Sequence, residues 1–380
     1  EVLLDRPAQG GLVDGNLYLR GGGDPTLSLR FSRGESPTDA LARQIKAAGV
    51  NHIRGDVVAD ETAFAAERIP LGWKNSYRAS AYAAPVSALS LNENLVWIVA
   101  RPKDGKTVVE LDPPSATLPV TSLVRVVDGR GARIVVAPTA RGIIVSGSIG
   151  ARSPARRYSL VVRDPPLFAG GTLVTSLEKL GVAIDGTVRT GPSPTAAISV
   201  ASVQSARLDT IVSHMNRQSI NHFAELLFRS AARVPGRAGS SSAALETLRA
   251  FLADRVGVPR EVVRVRDGSG LSEADTLTAR SLVKVLAYAS RAPWGSAYHL
   301  SLPIAGQSQL LRRRMRATLA QGNLHAKTGS TNTVASLAGY VTARNGELLA
   351  FAFLYNGRDL WNARAAMDRM GSTLANFSRD

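Results

Sequence analysis

The spacing of apolar and polar positions divides the chain into a strand-rich first half and a helix-rich second half. Alternating apolar residues predict short strands over 16–20 and 56–59, and an apolar stripe of helical period predicts an amphipathic helix over 38–48. Between about 91 and 164, short Val and Ile runs are separated by Gly, Pro and Asp. That pattern predicts a small all-β module.

Helical periodicity returns from about residue 167, where leucines at 173, 177 and 180 share one face. Further helices are predicted over 209–215, 221–233, 243–256, 276–290, 309–320 and 361–377. Strands are predicted over 337–342 and 348–355, joined by a hairpin turn at Asn345-Gly346. This order of elements indicates a domain in which helices cover an antiparallel sheet.

Composition narrows the chemistry that the chain can perform. It has 46 Lys and Arg against 30 Asp and Glu, a net charge of +16. The absence of cysteine excludes disulfides, thiolate metal sites and cysteine nucleophiles. The five histidines have no paired spacing typical of zinc sites, so we expect neither a metal nor another cofactor. No apolar run reaches the roughly 18 to 20 residues that span a bilayer.

The segment with the most specific chemistry is His325-Ala326-Lys327-Thr328-Gly329-Ser330, directly before the predicted hairpin. A Lys-Thr-Gly sequence on an edge strand is one signature of serine β-lactamases and penicillin-binding proteins. The cation would face a terminal carboxylate of the substrate, and the glycine would let the substrate lie close to the strand.

A second segment, Ser219-Ile220-Asn221, lies between two predicted helices and forms a Ser-x-Asn sequence. The hydroxyl can relay a proton and the amide can orient an amide of the substrate. The alternative is that Ser219 is only the N-cap of the helix over 221–233. A third segment, Asp267-Gly268-Ser269-Gly270-Leu271-Ser272, is equally consistent with a tight loop.

Taken in order, these segments and others resemble the class C low-molecular-mass penicillin-binding proteins, which are exported D-alanyl-D-alanine carboxypeptidase/endopeptidases. The resemblance extends from about Gly15 to Asn356. The further landmarks are Gly15-Asn16-Leu17-Tyr18, Gly22-Gly23-Asp24-Pro25-Thr26-Leu27, Ala84-Pro85-Val86-Ser87-Ala88-Leu89, Met215-Asn216 and Ala338-Gly339-Tyr340-Val341.

The resemblance implies a mixed α/β (α+β) fold, in which a penicillin-recognising helix/sheet domain is interrupted by a nested pair of mainly β domains. On this basis we predict that residues 1–90 and 165–208 form inserted domain II, and that 91–164 form the nested all-β domain III. Residues 209–380 would belong to the penicillin-recognising catalytic domain.

The resemblance also implies the activity, the location and the site. An active serine would attack the carbonyl between two D-alanines of a peptidoglycan stem peptide, form an acyl-enzyme that water hydrolyses, and be acylated by β-lactams. Such an enzyme would be periplasmic or otherwise extracytoplasmic, because its substrate lies outside the bacterial membrane. The residues carried over by motif are Ser219, Asn221 and Lys327 as catalytic groups, and Thr328, Gly329 and Ser330 as the substrate-binding strand, with the Ser330 N–H as half of the oxyanion hole.

The first signature of the family, Ser-x-x-Lys, is missing at its expected place. We therefore expect the nucleophile and its lysine on a segment upstream of Glu1. The chain contains Ser176-Leu177-Glu178-Lys179 and Ser281-Leu282-Val283-Lys284, but both are predicted to be solvated helix surface. The family's acidic side-chain-recognition residue near Trp73 has no clear match, since Lys74 and Asn75 stand there, and Ser-Ile-Asn replaces the common Ser-Asp/Asn-Asn.

Two alternatives follow from the charge and from the missing signature. In the first, the chain is a basic protein that binds an anionic wall polymer without catalysis, through patches such as Arg152, Arg156 and Arg157, or Arg312-Arg313-Arg314 with Arg316. In the second, it is a family member that has lost catalysis and binds peptidoglycan as a scaffold. The same patches would allow a loose association of the enzyme with anionic wall polymers or a membrane surface. Nucleic acid is not an expected partner, because no aromatic residues interleave with these arginines and no binding motif is present.

Overall fold

The structure, a computed structural model, describes residues 1–32 and 34–379, and the chain divides into two units. Unit 1 comprises Glu1–Ile69, Lys74–Ser205 and Arg233–Ser240. Unit 2 comprises Pro70–Trp73, Ala206–Ala232 and Ser241–Asp380. The three domains expected from the resemblance stay a prediction. Residues 91–164 fall within unit 1, Pro70–Trp73 belong to unit 2 and Arg233–Ser240 belong to unit 1.

Among its described residues, unit 1 contains 14 strands and two α-helices. The strands are β1 Val2–Leu4, β2 Leu12–Val13, β3 Leu17–Arg20, β4 His52–Ile53, β5 Val57–Asp60, β6 Leu95–Lys103, β7 Lys106–Asp112, β8 Val120–Val127, β9 Ala132–Thr139, β10 Gly142–Gly150, β11 Arg156–Val161, β12 Ala183–Ile184, β13 Val188–Thr190 and β14 Ile198–Ala201. The helices are α1 Pro37–Ala47 and α2 Pro165–Lys179.

The described part of unit 2 contains six α-helices and three strands. The helices are α3 Leu208–Gln218, α4 Asn221–Ser230, α5 Ser241–Phe251, α6 Ala279–Arg291, α7 Gly295–Ser301 and α8 Leu360–Ala375. The strands are β15 His325–Ser330, β16 Val334–Thr342 and β17 Leu348–Asn356.

The core of unit 1 lies between a five-stranded sheet, in the order β13-β5-β3-β1-β14, and helices α1 and α2. Helix α1 begins at Ser36, whose hydroxyl accepts the backbone N–H of Asp39, as expected of an N-cap. Strands β6 to β11 form two further three-stranded sheets, β11-β6-β7 and β8-β10-β9, around a smaller core that includes Ile98, Ile143 and Val145.

Unit 2 is built on the antiparallel sheet β15-β16-β17, with β15 at one edge. One face of this sheet packs on α8 through residues such as Ala326, Leu337 and Met367. The other face packs on α6 and α7, where Tyr340 contacts Leu286 and Leu302. Because side chains alternate along a strand, Lys327 lies on the face opposite to Ala326, which is the face that packs on α6 and α7. The mixed α/β class predicted from the sequence is confirmed.

The helix predicted over 309–320 is wrong. Only Gln309–Leu311 forms a single 3₁₀ turn, and the backbone takes positive φ angles at Gln309, Met315 and Ala317 (44°, 53° and 57°). Left-handed residues interrupt a right-handed helix. The apolar residues of this segment have helical spacing because Leu311, Met315 and Ala320 all pack into the core beneath α8. Helix α5 is also shorter than predicted, since a π-helical turn replaces its last residues from Leu252 to Val256.

Candidate active site

Strand β15 places the Lys327 ammonium in contact with the Ser-x-Asn segment. Its Nζ donates to Ser219 Oγ at 2.7 Å and to the backbone oxygen of Thr328 at 2.8 Å. Burial disfavours the charged form and lowers the pKa of Lys327 to about 8. The two segments singled out in the sequence therefore meet through a direct hydrogen bond between residues 108 positions apart.

Ser219 is held in an uncommon backbone conformation. It is the C-cap of α3, in the left-handed region with φ 55° and ψ 52°, and its N–H bonds to Met215 O. Non-glycine residues adopt this region infrequently, and such residues cluster at functional sites. The N-cap of α4 is Ile220 and not Ser219, so the alternative reading of Ser219 as a helix N-cap is wrong. The reversal at Ser219 turns its hydroxyl toward Lys327 and starts α4 at Asn221.

A cleft of about 690 Å³ opens at this contact. All six residues predicted for the site line it: Ser219, Asn221, Lys327, Thr328, Gly329 and Ser330. Another part of the lining is formed by the loop Gly268–Leu271. Sequence analysis found this segment equally consistent with a tight loop and counted it among the segments of the family resemblance.

The charge of the cleft has one sign. Among the described residues that line it, Lys327, Arg314 and Arg364 are cationic and none is acidic. Arg314 donates from Nε to Asp368 at 2.8 Å, whereas Arg364 is exposed near the start of α8. Such a cleft suits a ligand that carries a carboxylate. Sequence analysis named Arg314 only as part of an arginine run and did not name Arg364, because neither belongs to a catalytic motif.

The two internal Ser-x-x-Lys strings lie outside the cleft, but their predicted exposure is wrong for both serines. Ser176 is buried in α2, where its Oγ bonds to Asp39 Oδ1 at 2.6 Å and to Thr38 Oγ1 at 3.1 Å. Ser281 is buried in the first turn of α6, with its Oγ 2.9 Å from the Oγ1 of the N-cap residue Thr278.

The lysines of these strings are exposed, as predicted. Lys179 ends α2, and Lys284 donates to Gly257 O at 2.6 Å. Both serines are instead satisfied by capping or buried hydroxyl contacts. Their burial therefore reflects helix packing and capping.

In the described part of the chain, no group of three or more His, Cys, Asp or Glu side chains comes together as a metal site would require. Within residues 1–32 and 34–379, every helix is too short or too polar to cross a bilayer.

Comparison with known proteins assigns the chain to a family. The model of the D-Ala-D-Ala carboxypeptidase 3 (S13) family matches residues 1–377. A relative named D-alanyl-D-alanine carboxypeptidase, from Actinomadura sp. (strain R39), is 32% identical over 96% of this chain and 70% of its own length. Another, D-alanyl-D-alanine carboxypeptidase DacB from Haemophilus influenzae, is 27% identical over 100% of this chain and 79% of its own length. The chain belongs to the S13 family.

Solved structures agree at the level of the fold. Penicillin binding protein 4 (dacB) from Haemophilus influenzae superposes with a TM-score of 0.77, at 24% identity, over 98% of this chain and 85% of that chain. A complex of that protein with a novel β-lactam gives a TM-score of 0.72. The family resemblance and the class of enzyme predicted from the sequence, a serine-type D-alanyl-D-alanine carboxypeptidase of the penicillin-binding type, are confirmed.

Proposed function

We propose that the cleft beside β15 binds the D-alanyl-D-alanine end of peptidoglycan stem peptides outside the cytoplasmic membrane, and that β-lactams acylate the enzyme there. The observation that carries this proposal is the 2.7 Å contact between Lys327 Nζ and Ser219 Oγ in a cleft lined by cations and no acid among its described residues. A terminal carboxylate supplies the missing negative charge, and both stem peptides and penicillins carry one.

Each site residue has a role that its position permits. Lys327 faces the carboxylate, while Thr328, Gly329 and Ser330 offer the free edge of β15 for backbone hydrogen bonds to an extended substrate. The Ser330 N–H supplies half of the oxyanion hole. The Asn221 amide orients the substrate amide.

Ser219 relays the proton of the first chemical step. The attacking serine oxygen forms a bond to the scissile carbonyl carbon, the C–N bond breaks, and the serine's proton reaches the departing amine through the Ser219 hydroxyl that Lys327 contacts. Water then hydrolyses the ester. The attacking serine stays a prediction, namely a Ser-x-x-Lys serine N-terminal to Glu1.

Three of the arginines named for polymer binding are engaged in contacts within their own unit. Arg157 is engaged with Asp112 at 2.7 Å, Arg156 donates to Ser153 Oγ and Arg130 O, and Arg314 pairs with Asp368. Cations engaged within their own unit are less available to a polymer, and exposed pairs are screened by salt.

The test is an intact mass of the full-length protein with and without excess penicillin, followed by mapping of the modified peptide. We expect one drug-sized adduct on a serine of a Ser-x-x-Lys element that precedes Glu1. An adduct on Ser176 or Ser281 would overturn the proposed position of the nucleophile. A folded full-length protein that forms no adduct would overturn the enzyme assignment of the cleft.

Ser281→Ala is expected to leave acylation unchanged, because Ser281 is buried at a helix start away from the cleft. Loss of one capping-turn hydrogen bond should cost about 1 kcal/mol of unfolding free energy. Acylation rate and thermal unfolding, measured on the same preparation, check both statements. Ser176→Ala is the matched control, with the same expectation from a buried hydroxyl in unit 1.

The pH dependence of acylation should report Lys327. Only the ammonium form attracts the carboxylate, and burial lowers the pKa of Lys327 to about 8. Its positive charge is therefore complete below this pKa and is lost as the pH rises through it. We expect the kcat/KM for peptide substrate or the acylation rate constant to fall along an alkaline limb centred near pH 8. A flat profile from about pH 7 to 10 would show that the charge of Lys327 does not contribute to substrate binding.

A further inference from the structure

The loop Gly268–Leu271 forms one wall of the cleft, yet its own residues provide little to hold it in place. Two of the four are glycine, and Gly270 has a φ of 73°, in the left-handed region. The loop's position depends on the groups that bind its backbone N–H donors.

Those donors are bound by two buried carboxyl groups. Glu225 Oε1 accepts the N–H of Gly268 at 3.0 Å and that of Ser269 at 2.8 Å. Asp267 Oδ1 accepts the N–H of Gly270 at 2.7 Å, while its Oδ2 accepts the N–H of Ser272 and the Trp73 indole N–H, at 2.8 Å and 2.7 Å. Asp267 is part of the turn that it stabilises, whereas Glu225 reaches it from another element.

Glu225 lies on α4, one helical turn beyond Asn221. Residues four apart share a face of a helix, so the helix that presents Asn221 to the cleft also presents Glu225 to the loop. The Glu225 side chain is fully buried, at 0% exposure. The loop also packs directly on this helix: a Cβ added to Gly268 would lie 2.5 Å from Phe228 Cβ and 2.8 Å from Ala224 O.

We propose that Glu225 is a positioning residue, which fixes the loop Gly268–Leu271 at a set distance from Asn221 and so sets the width of the cleft for the substrate. This inference rests on the proposed function of the cleft. Glu225 touches no substrate in this arrangement and acts through two backbone N–H groups. Its hydrogen bonds tie together two walls whose residues are 43 to 44 positions apart in sequence.

The charges around Glu225 are consistent with an acceptor role that does not need a full negative charge. Burial, and then the nearby Asp267, raise the pKa of Glu225 to about 7. Asp275, whose pKa is raised to about 8 by burial and by Asp267, adds to the same acidic cluster. The buried His222 and Arg229 lie on the same helix, and burial lowers the pKa of His222 to about 4.

Because the pKa of Glu225 is raised to about 7, its carboxyl is partly protonated at neutral pH. A protonated carboxyl resembles an amide in shape.

The experiment compares Glu225→Gln with Glu225→Leu in the full-length protein. Gln keeps an oxygen that can accept both N–H groups, whereas Leu has a similar size and no acceptor. We expect Gln to retain acylation by penicillin and peptide hydrolysis within about twofold, and Leu to raise KM and slow acylation about tenfold, because a displaced wall misorients the substrate. Rescue by Gln is a result that general destabilisation does not produce.

Two further variants keep the test decisive. Val263→Ala removes buried volume in a separate core of unit 2 and should lower the thermal midpoint without changing KM. If Glu225→Leu does not fold, Gly268→Ala displaces the same loop from α4 while leaving Glu225 in place, and the same rise in KM is expected.

A folded Glu225→Leu with the KM and acylation rate of the unmodified protein would overturn the inference, as would a Gln variant as impaired as Leu. The proposed function fails separately, when the unmodified full-length protein is not acylated at all.

Discussion

Replacing Lys327 with alanine should slow acylation by β-lactams on the order of 10³-fold while leaving the protein folded. The ammonium is the cation of the cleft that donates directly to Ser219 Oγ. Its removal takes away both the attraction for the substrate carboxylate and the group that holds the Ser219 hydroxyl in the orientation needed for proton relay. Both effects act in the transition state of acylation, and so their consequences combine in one rate constant.

Folding should be little affected, because a buried amine carries a desolvation cost that its loss relieves. What remains unpartnered is Ser219 Oγ and one contact of Thr328 O, both beside an open cleft that water can enter. The measurements are stopped-flow acylation with a reporter penicillin and thermal unfolding of the same samples.

Lys284→Ala is the matched control, since that lysine also donates to a backbone oxygen of unit 2 but lies outside the cleft. It should acylate at the unmodified rate. Unchanged acylation in Lys327→Ala, or equal losses in both variants, would contradict the role given to Lys327.

Sequence predicted the site best where its chemistry lies within a short stretch of chain. Lys327, Thr328 and Gly329 were located by a motif that belongs on an edge strand, directly before the hairpin that the apolar pattern predicted. Once that strand is in place, alternation fixes the side that faces the cleft. The Ser219-Ile220-Asn221 segment was located by its motif, but its left-handed backbone was not, because nothing in a serine residue specifies a positive φ.

The parts that sequence could not supply depend on contacts between distant residues. The hydrogen bonds from Gly268 and Ser269 to Glu225 join residues 43 and 44 positions apart, and no local sequence pattern predicts them. The helix predicted over 309–320 was wrong for a related reason. Leu311 and Met315 have helical spacing, but they are buried against α8, which lies much later in the chain. Ser281 was predicted to face solvent because the apolar face of its helix was assigned to Leu282, Val285 and Leu286. Ser281 is nevertheless buried in the first turn, where its hydroxyl contacts that of the N-cap Thr278.

The sheet that carries Lys327 depends on Gly339, which leads to a prediction of comparable size. Gly339 on β16 pairs with Ala326 on β15. A Cβ added to Gly339 would lie 2.1 Å from the backbone oxygen of His325, 2.6 Å from Ala326 Cα and 2.8 Å from Ala326 Cβ. These are atoms of the neighbouring strand and cannot rotate away as the end of a long side chain can.

Gly339→Ala should therefore force β15 away from β16 next to Lys327. We expect a loss of about 3 kcal/mol of unfolding free energy, at the upper end of what overpacking costs. We also expect acylation on the order of 10²-fold slower in the fraction that folds, because the Lys327 ammonium moves relative to Ser219. Urea unfolding and active-site titration with a reporter penicillin measure the two effects separately.

Gly131→Ala is the control for a glycine of a β region without this constraint, since a Cβ there meets nothing within 4 Å. Its unfolding free energy should change by less than about 0.5 kcal/mol. If Gly339→Ala matched this control in both stability and acylation, the sheet would have room to relax at β15. That result would show that the close pairing of β15 with β16 does not position the Lys327 ammonium. Its hydrogen bond to Ser219 would then be the interaction that does so.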